Sequence, residues 1–405
     1  MTGAPREFDV AIIGGGLAGA SLAAALAAGE IKTALIEAAS DEERARPEFD
    51  ARSIALTDDA RRIYTQLGVW KQVAGEAQPI REIHISDRGH FGMARLRAED
   101  AGTETDALGH VLPARVLGAA LHRHVRAAAH AEVFCPARVR EVKEHEQHWE
   151  LHVSAPGGGM ALRAPLVVLA DGGRSGLAAQ LGIAEAEPKA YSQLAVLCQV
   201  SVDLDHHGRA YERFTREGPL ALLPSAARRY AVVWTGDARD AKRRAALSDE
   251  DFTAELQTAF GDRAGAFGEP SARRAYPLRR GRAHPLGRRA VSIGDAAHVV
   301  HPVAGQGFNL GLRDAAALAE TLRAAARDGR DFGGRAALES YAAARRRETA
   351  RVSGFTDGLM RVFCSRSRPL GFARSLALAG IELCPPAKRM LLWRTMGMAA
   401  ARARE

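Results

Sequence analysis

The chain has 405 residues, 47% hydrophobic and 26% charged, with a formal net charge of +8. That composition excludes a disordered chain and leaves room for two or three cores. Its four cysteines lie far apart with no CxxC pair, so no metal site or disulfide framework is expected and a cytoplasmic setting is implied.

The first element lies in "FDVAIIGGGLAGASLAAALAA". Val10 to Ala28 is nineteen residues without a charge, long enough to cross a bilayer. Four glycines interrupt it, however, and it has neither basic flanks nor a clear cleavage pattern. The run reads instead as a buried parallel strand, a glycine turn and a helix. Gly14, Gly16 and Gly19 form GxGxxG: the first for the tight turn, the second for approach of a pyrophosphate, the third for close helix–strand packing. The helix N-terminus offers unpaired N–H groups to the phosphate. A second strand, "KTALIEA", ends at Glu37, where an acid can accept hydrogen bonds from ribose hydroxyls.

Further along, "LVVLADGGRSGLAAQLG" predicts a strand from Leu166 to Ala170, the pair Asp171-Gly172 and then a helix. Short strands in "QLAVLCQVSVDL", "RAYERFT", "LALLP" and "YAVVWTGD" predict an antiparallel sheet. Residues 241–262 read as one helix with Ser248 as a possible N-cap. In "AVSIGDAAHVVHPVAGQGFNLGLRDAAALAETL" a strand ends at Gly294-Asp295, a Pro/Gly turn follows, and a helix starts near Asn309. His298 and His301 read as structural histidines fixing that turn. The pattern is helical from Gly334 onward. Arg361 to Glu405 carries nine Lys/Arg and two Asp/Glu, almost the whole net charge. Charge so confined argues against a nucleic-acid surface. With Leu391, Leu392, Trp393 and Met396 among Lys388, Arg389, Arg394, Arg402 and Arg404, the tail suits a helix on an anionic membrane, or one packed on the body.

Taken together, GxGxxG with Glu37, Asp171-Gly172 and Gly294-Asp295 resemble the group A flavoprotein aromatic hydroxylases. "HPVAGQGFNLG" is similar to their ubiquinone-biosynthesis branch. "QLAVLCQV", "AYERFTREGPLALLP" and "RRAYPLRRGRAH" resemble the members that act on 2-polyprenyl-6-methoxyphenol. The resemblance runs from Phe8 to about Met398. It implies an α/β fold with a Rossmann-like FAD-binding domain of the p-hydroxybenzoate-hydroxylase type, an antiparallel substrate sheet and C-terminal helices. The expected FAD domain is discontinuous (1–75, 105–185, 283–335). Residues 76–104 and 186–282 form the substrate domain, and 336–405 the helical region.

For the site, the resemblance implies that Asp295 holds the ribitol. Phe308 and Asn309, after Gly305 and Gly307, present backbone N–H groups to the flavin N1/O2 edge. Arg52 lies near the pyrophosphate, Arg115 contacts the flavin, and the Pro302 carbonyl borders the substrate pocket. The implied reaction uses NAD(P)H and O2: a flavin C4a-hydroperoxide hydroxylates a polyprenylated phenol to the 1,4-benzoquinol. The general base is unassigned; the Pro302 carbonyl, Tyr211 and ordered water are the candidates. The alternatives are hydroxylation at a neighbouring ring position, an FAD-dependent polyprenyl reductase, and a non-enzymatic lipid escort. The resemblance further implies peripheral association with the inner membrane, and it leaves open whether the enzyme works within a ubiquinone-biosynthesis complex.

Overall fold

Two uncharged runs, Val10–Ile13 and Leu166–Leu169, lie side by side in parallel at the centre of a six-stranded sheet. Its order is Leu286–Gly287, Ala290–Ser292, Leu166–Leu169, Val10–Ile13, Thr33–Ile36 and Ala131–Phe134. Only the first pair is antiparallel. The central strands are apolar throughout because both faces are covered: Val10 and Ile12 enter one core, Ala11 and Ile13 another. Helices α1 (Leu17–Ala27) and α2 (Ala114–Arg126) fill the first. A four-stranded sheet closes the second through Trp149 and Leu151. This computed structural model describes residues 4–46, 50–102, 105–184, 189–282, 285–300, 303–365 and 367–395. His301 and Pro302, and the tail residues Met396, Arg402 and Arg404, lie outside the described residues.

The second large sheet runs in the order His298–Val299, Arg274–Arg282, Lys189–Val202, Arg229–Asp237, Pro219–Pro224, Arg209–Phe214, Glu82–Asp87 and Met93–Arg97. It is antiparallel except where Arg209–Phe214 pairs in parallel with Glu82–Asp87. A small sheet of Ser53–Thr57, Gly109–Pro113 and Gln78–Ile80 reaches into the 76–104 segment, so that segment is divided between two sheets. The single helix expected over 241–262 is two, α3 (Ala238–Ala246) and α4 (Asp249–Phe260). Leu247 is extended, and the Ser248 hydroxyl accepts the Asp251 N–H at 3.0 Å to start a new helix. Phe252 and Leu256 of α4 pack with Trp234 and Tyr230 on the back of the large sheet.

The helix expected after Asp171-Gly172 does not form. The Asp171 carboxylate accepts the N–H groups of Gly173, Arg174 and Ser175 at 2.9, 3.0 and 2.5 Å. Gly172 and Gly173, at φ +67° and +73°, hold the chain in turns there. The C-terminal part comprises α5 (Gln306–Arg327), α6 (Arg335–Phe363), α7 (Arg368–Leu383) and α8 (Pro385–Thr395). No helix among the described residues is long and apolar enough to cross a membrane.

Candidate active site

The turn after Val10–Ile13 separates three glycine roles. Gly14 has φ +104°, and a Cβ there would lie 2.6 Å from the Ala170 carbonyl oxygen. A Cβ on Gly19 would lie 2.0 Å from the Gly14 oxygen, so α1 packs against the turn only with glycine. Gly16 differs: its Cβ would meet no protein atom within 4 Å and would project into the cavity that Gly16 lines. Gly16 caps α1, whose first N–H groups lack partners within the helix. Glu37 accepts the N–H groups of Gly15 and Ala39 at 2.6 and 2.7 Å, which fixes its carboxylate on the cavity wall.

Beside the start of α1, Gly294 has φ +61°, and a Cβ there would crowd Ala18 at 3.0 Å. Asp295 follows, exposed on the cavity wall, with no hydrogen bond to any described residue. Arg52 lines the same cavity, in a bidentate pair with Asp50 at 2.7 Å for each contact. That pair, with Asp295 and Tyr276 nearby, raises the affinity of Arg52 for its proton. Arg115 lies exposed on the wall in the first turn of α2.

Helix α5 starts three residues before Asn309. With Gly305 as N-cap and a 3-10 turn over Val303–Gly305 leading into the helix, the N–H groups of Gly307 and Phe308 are those that precede the i→i−4 ladder. Asn309 is the fourth helical residue, so its N–H belongs to the helix ladder. Its buried side chain is a clamp instead, donating to Ala55 and Gly305 oxygens at 2.8 and 2.9 Å and accepting from the Thr57 N–H at 3.1 Å.

Beneath this turn lies a buried hub that holds His298 as the structural histidine expected from sequence, with two partners, Asp314 and Arg345, that sequence reasoning missed. Asp314 on α5 accepts from the Gly294 N–H at 3.0 Å and from Arg345 Nε on α6 at 2.6 Å. His298 Nε2 lies 2.5 Å from the same carboxylate. Burial pushes Asp314 upward, but His298 and Arg345 together outweigh it and hold the carboxyl below its ordinary range. Arg345 also pairs with Glu348, which pairs in turn with Arg313. The hub thus ties the Asp295 turn to two helices.

The cavity measures about 1640 Å³ and is continuous from the Gly14–Gly16 turn, across the front of the large sheet, to α6, α7 and α8. Most of its sheet wall is apolar. Strand register puts Leu197, Val233, Ala221, Glu212 and Ile85 in one cross-strand row, with Glu212 the single acid among aliphatic neighbours. Glu212 was not singled out from sequence, although "RAYERFT" already alternates Ala210, Glu212 and Phe214. Tyr211, a sequence candidate for the base, faces the other way: its ring joins the core behind the sheet and its hydroxyl donates to the Arg263 oxygen at 2.9 Å. Of the two readings of the tail, helix α8 follows the one packed on the body. Leu392 is fully buried in a core with Ala101 and Leu108, Leu391 packs against that core, and Lys388 is engaged by Asp100 and Glu382.

Fold and cavity together define a flavoprotein with a dinucleotide-binding domain and a substrate sheet. FAD fits the residues present. Two helix N-termini, α1 and α5, border one cavity; Gly16 leaves open the space a side chain would fill; and Asp295 offers an unpaired carboxylate between them. The chain belongs to the FAD binding domain family, whose model matches residues 7–356. It is 34% identical to ubiquinone hydroxylase UbiL of Rhodospirillum rubrum, over 97% of this chain and 90% of that one. It is 29% identical to 3-demethoxyubiquinol 3-hydroxylase of Escherichia coli, over 98% of this chain and all of that one. Among solved structures, p-nitrophenol 4-monooxygenase PnpA of Pseudomonas putida DLL-E4 matches with a TM-score of 0.80 at 19% identity, covering 96% of this chain and 98% of that one, a likeness of fold. The enzyme class is that of the FAD-dependent monooxygenases, which use NAD(P)H and O2.

Proposed function

We propose that this enzyme hydroxylates the aromatic ring of a polyprenylated phenol in ubiquinone biosynthesis. The observation that carries the reading is the unbroken cavity, whose far end is walled by Leu359, Phe363, Leu378 and Ile381. Its volume exceeds the roughly 300–1,000 Å³ of an ordinary small-ligand pocket and gives room for a dinucleotide and an isoprenoid tail together. The named activities of the two curated relatives support the same substrate class. Contact with the membrane where such a substrate resides, and with other enzymes of its pathway, belongs to this reading.

When bound, FAD supplies the redox chemistry, taking electrons from NAD(P)H and activating O2. The α1 N-terminus with Gly14 and Gly16 would hold its pyrophosphate, Glu37 the ribose and Asp295 the ribitol. Arg52 and Arg115 would add positive charge along the wall. The α5 N-terminus would meet the flavin edge where negative charge collects. The apolar sheet excludes water from the reacting ring. A free phenol has a pKa of about 10, so at neutral pH it needs an acceptor for its hydroxyl proton. Glu212 is the group on the wall that suits this role, holding the hydroxyl hydrogen bond during attack.

The ring position assigned first is that of 2-polyprenyl-6-methoxyphenol converted to its 1,4-benzoquinol. A neighbouring position is the second reading, favoured by the name of the Escherichia coli relative. The test supplies purified, FAD-loaded enzyme with NAD(P)H, O2 and a short-tail 2-prenyl-6-methoxyphenol, and identifies the product by NMR. Quinol formed with matching O2 uptake supports the assignment. A hydroxyl on another carbon moves the ring position alone. Saturation of the tail without O2 uptake means a reductase, and protein that binds no flavin means a lipid escort; either overturns the proposal.

A further inference from the structure

Helix α7 packs Leu378 and Ile381 on the body and turns its charges inward as well. After its first turn it carries two charges, Arg374 and Glu382, and both face the protein. Arg374 is buried with Asp87, to which it donates at 2.9 and 2.8 Å, and it also bonds the Val362 oxygen at 2.6 Å. Glu382 accepts from Arg95 through backbone N–H and guanidinium at 2.7–3.0 Å, and pairs with Lys388. The backbones come close at Gly92, where a Cβ would lie 2.4 Å from Ser375 backbone atoms, and the His90 ring packs over Gly371, 2.5 Å from where a Cβ would stand.

What turns outward is uncharged. Phe372, Leu376 and Leu383 are 59%, 52% and 83% exposed, with Ala373, Ala377 and Gly380 between them. Phe91, 65% exposed on the neighbouring hairpin, meets Phe372 edge-on at 6.1 Å. A soluble helix puts such residues inside and its charges in water. A contiguous exposed apolar face of this kind marks an interaction surface.

We propose that this face docks the enzyme on an anionic bilayer at the mouth of the cavity. Two observations select a bilayer over a protein partner. Ala377 belongs both to the exposed face and to the cavity wall, as does the exposed Val362, so lipid and cavity share a border. The surrounding charge is basic: of the two acids after residue 360, Glu382 is consumed by Arg95 and Lys388, while Arg361 and Arg389 stay exposed. Basic residues around an apolar face match an anionic headgroup layer. A tail could then pass from the bilayer into the cavity without crossing water. This last step rests on the prenylated-phenol reading; the docking face does not.

The test floats the FAD-loaded full chain with substrate-free vesicles of three parts phosphatidylcholine to one part phosphatidylglycerol. The double variant Phe372→Glu with Leu376→Glu is expected to lose about tenfold or more in vesicle affinity, with its FAD content unchanged. Leu204→Glu, an acid placed at an exposed leucine off α7, is expected to bind as the parent does. A parent chain that stays unbound, or a double variant that floats equally well, overturns docking. So does a double variant whose only change is from dimer to monomer in sedimentation, which would make the face an interface between copies. Turnover of a soluble short-tail phenol is measured separately. Flotation without that turnover sinks the functional reading and keeps docking; turnover without flotation does the reverse.

Discussion

Gly16 and Gly19 stand three residues apart in one motif and tolerate a side chain differently. At Gly16 the extra atoms would enter open cavity, and threonine caps a helix about as well as glycine. Gly16→Thr should therefore leave apo-protein stability within about 0.5 kcal/mol in urea titrations while abolishing FAD binding. Gly19→Ala forces a methyl to within 2.0 Å of a carbonyl oxygen and should cost about 1–3 kcal/mol or more in the same titration. Asp295 is a third case, because its carboxylate has no hydrogen-bond partner among the described residues. Asp295→Ala should leave the apo melt unchanged and weaken FAD by about 1.5–3 kcal/mol, roughly ten- to a hundredfold in Kd by flavin fluorescence. A melt that falls with FAD affinity intact would assign Asp295 a structural role instead.

At the scale of elements, the Asp314 hub decides whether the Asp295 turn keeps its place. Asp314→Ala removes the acceptor of the Gly294 N–H and leaves Arg345 buried without that partner, at a cost of about 3–5 kcal/mol. Because the folded-state pKa of Asp314 is lowered, its contribution is complete above the unfolded value of about 3.9 and fades as pH falls through the folded value. The stability gap between parent and variant, followed by urea titration, should hold down to about pH 4 and narrow below it. Glu212 acts through a different element, the wall of the large sheet. Glu212→Leu should leave FAD affinity unchanged and lower kcat for the phenol by about 10²–10⁴, with higher pH restoring part of the loss as the phenol ionises by itself. A fall in FAD affinity without a pH-dependent kcat would refute that role.

Across the whole molecule, what was legible in the sequence is what short-range chemistry encodes. The strand, turn and helix from Val10 to Ala27 follow from periodicity and glycine spacing, and the Gly294-Asp295 turn from its own composition. Contacts between distant segments were not legible. Glu212 is one acid among many until register lines it up with Leu197, Val233, Ala221 and Ile85. The outward face of α7 depends on Arg374 finding Asp87, 287 residues away, and Glu382 finding Arg95. The composition of the tail points to α8 as the membrane element for the same reason: its leucines look amphipathic until Ala101 and Leu108 are seen to bury Leu392.

That difference separates the two C-terminal helices experimentally. If α8 were a lipid anchor, removing the chain from Pro385 onward would abolish vesicle binding and spare the fold. With Leu392 fully buried and Leu391 packed beside it, removal instead uncovers a core shared with the large sheet. Loss of the Leu392 side chain alone is worth about 2–5 kcal/mol, so the truncated chain should melt markedly lower in calorimetry. Vesicle affinity should fall less than in the α7 double variant, because Phe372, Leu376 and Phe91 remain. A truncated chain that melts like the parent yet no longer floats would return the membrane contact to α8.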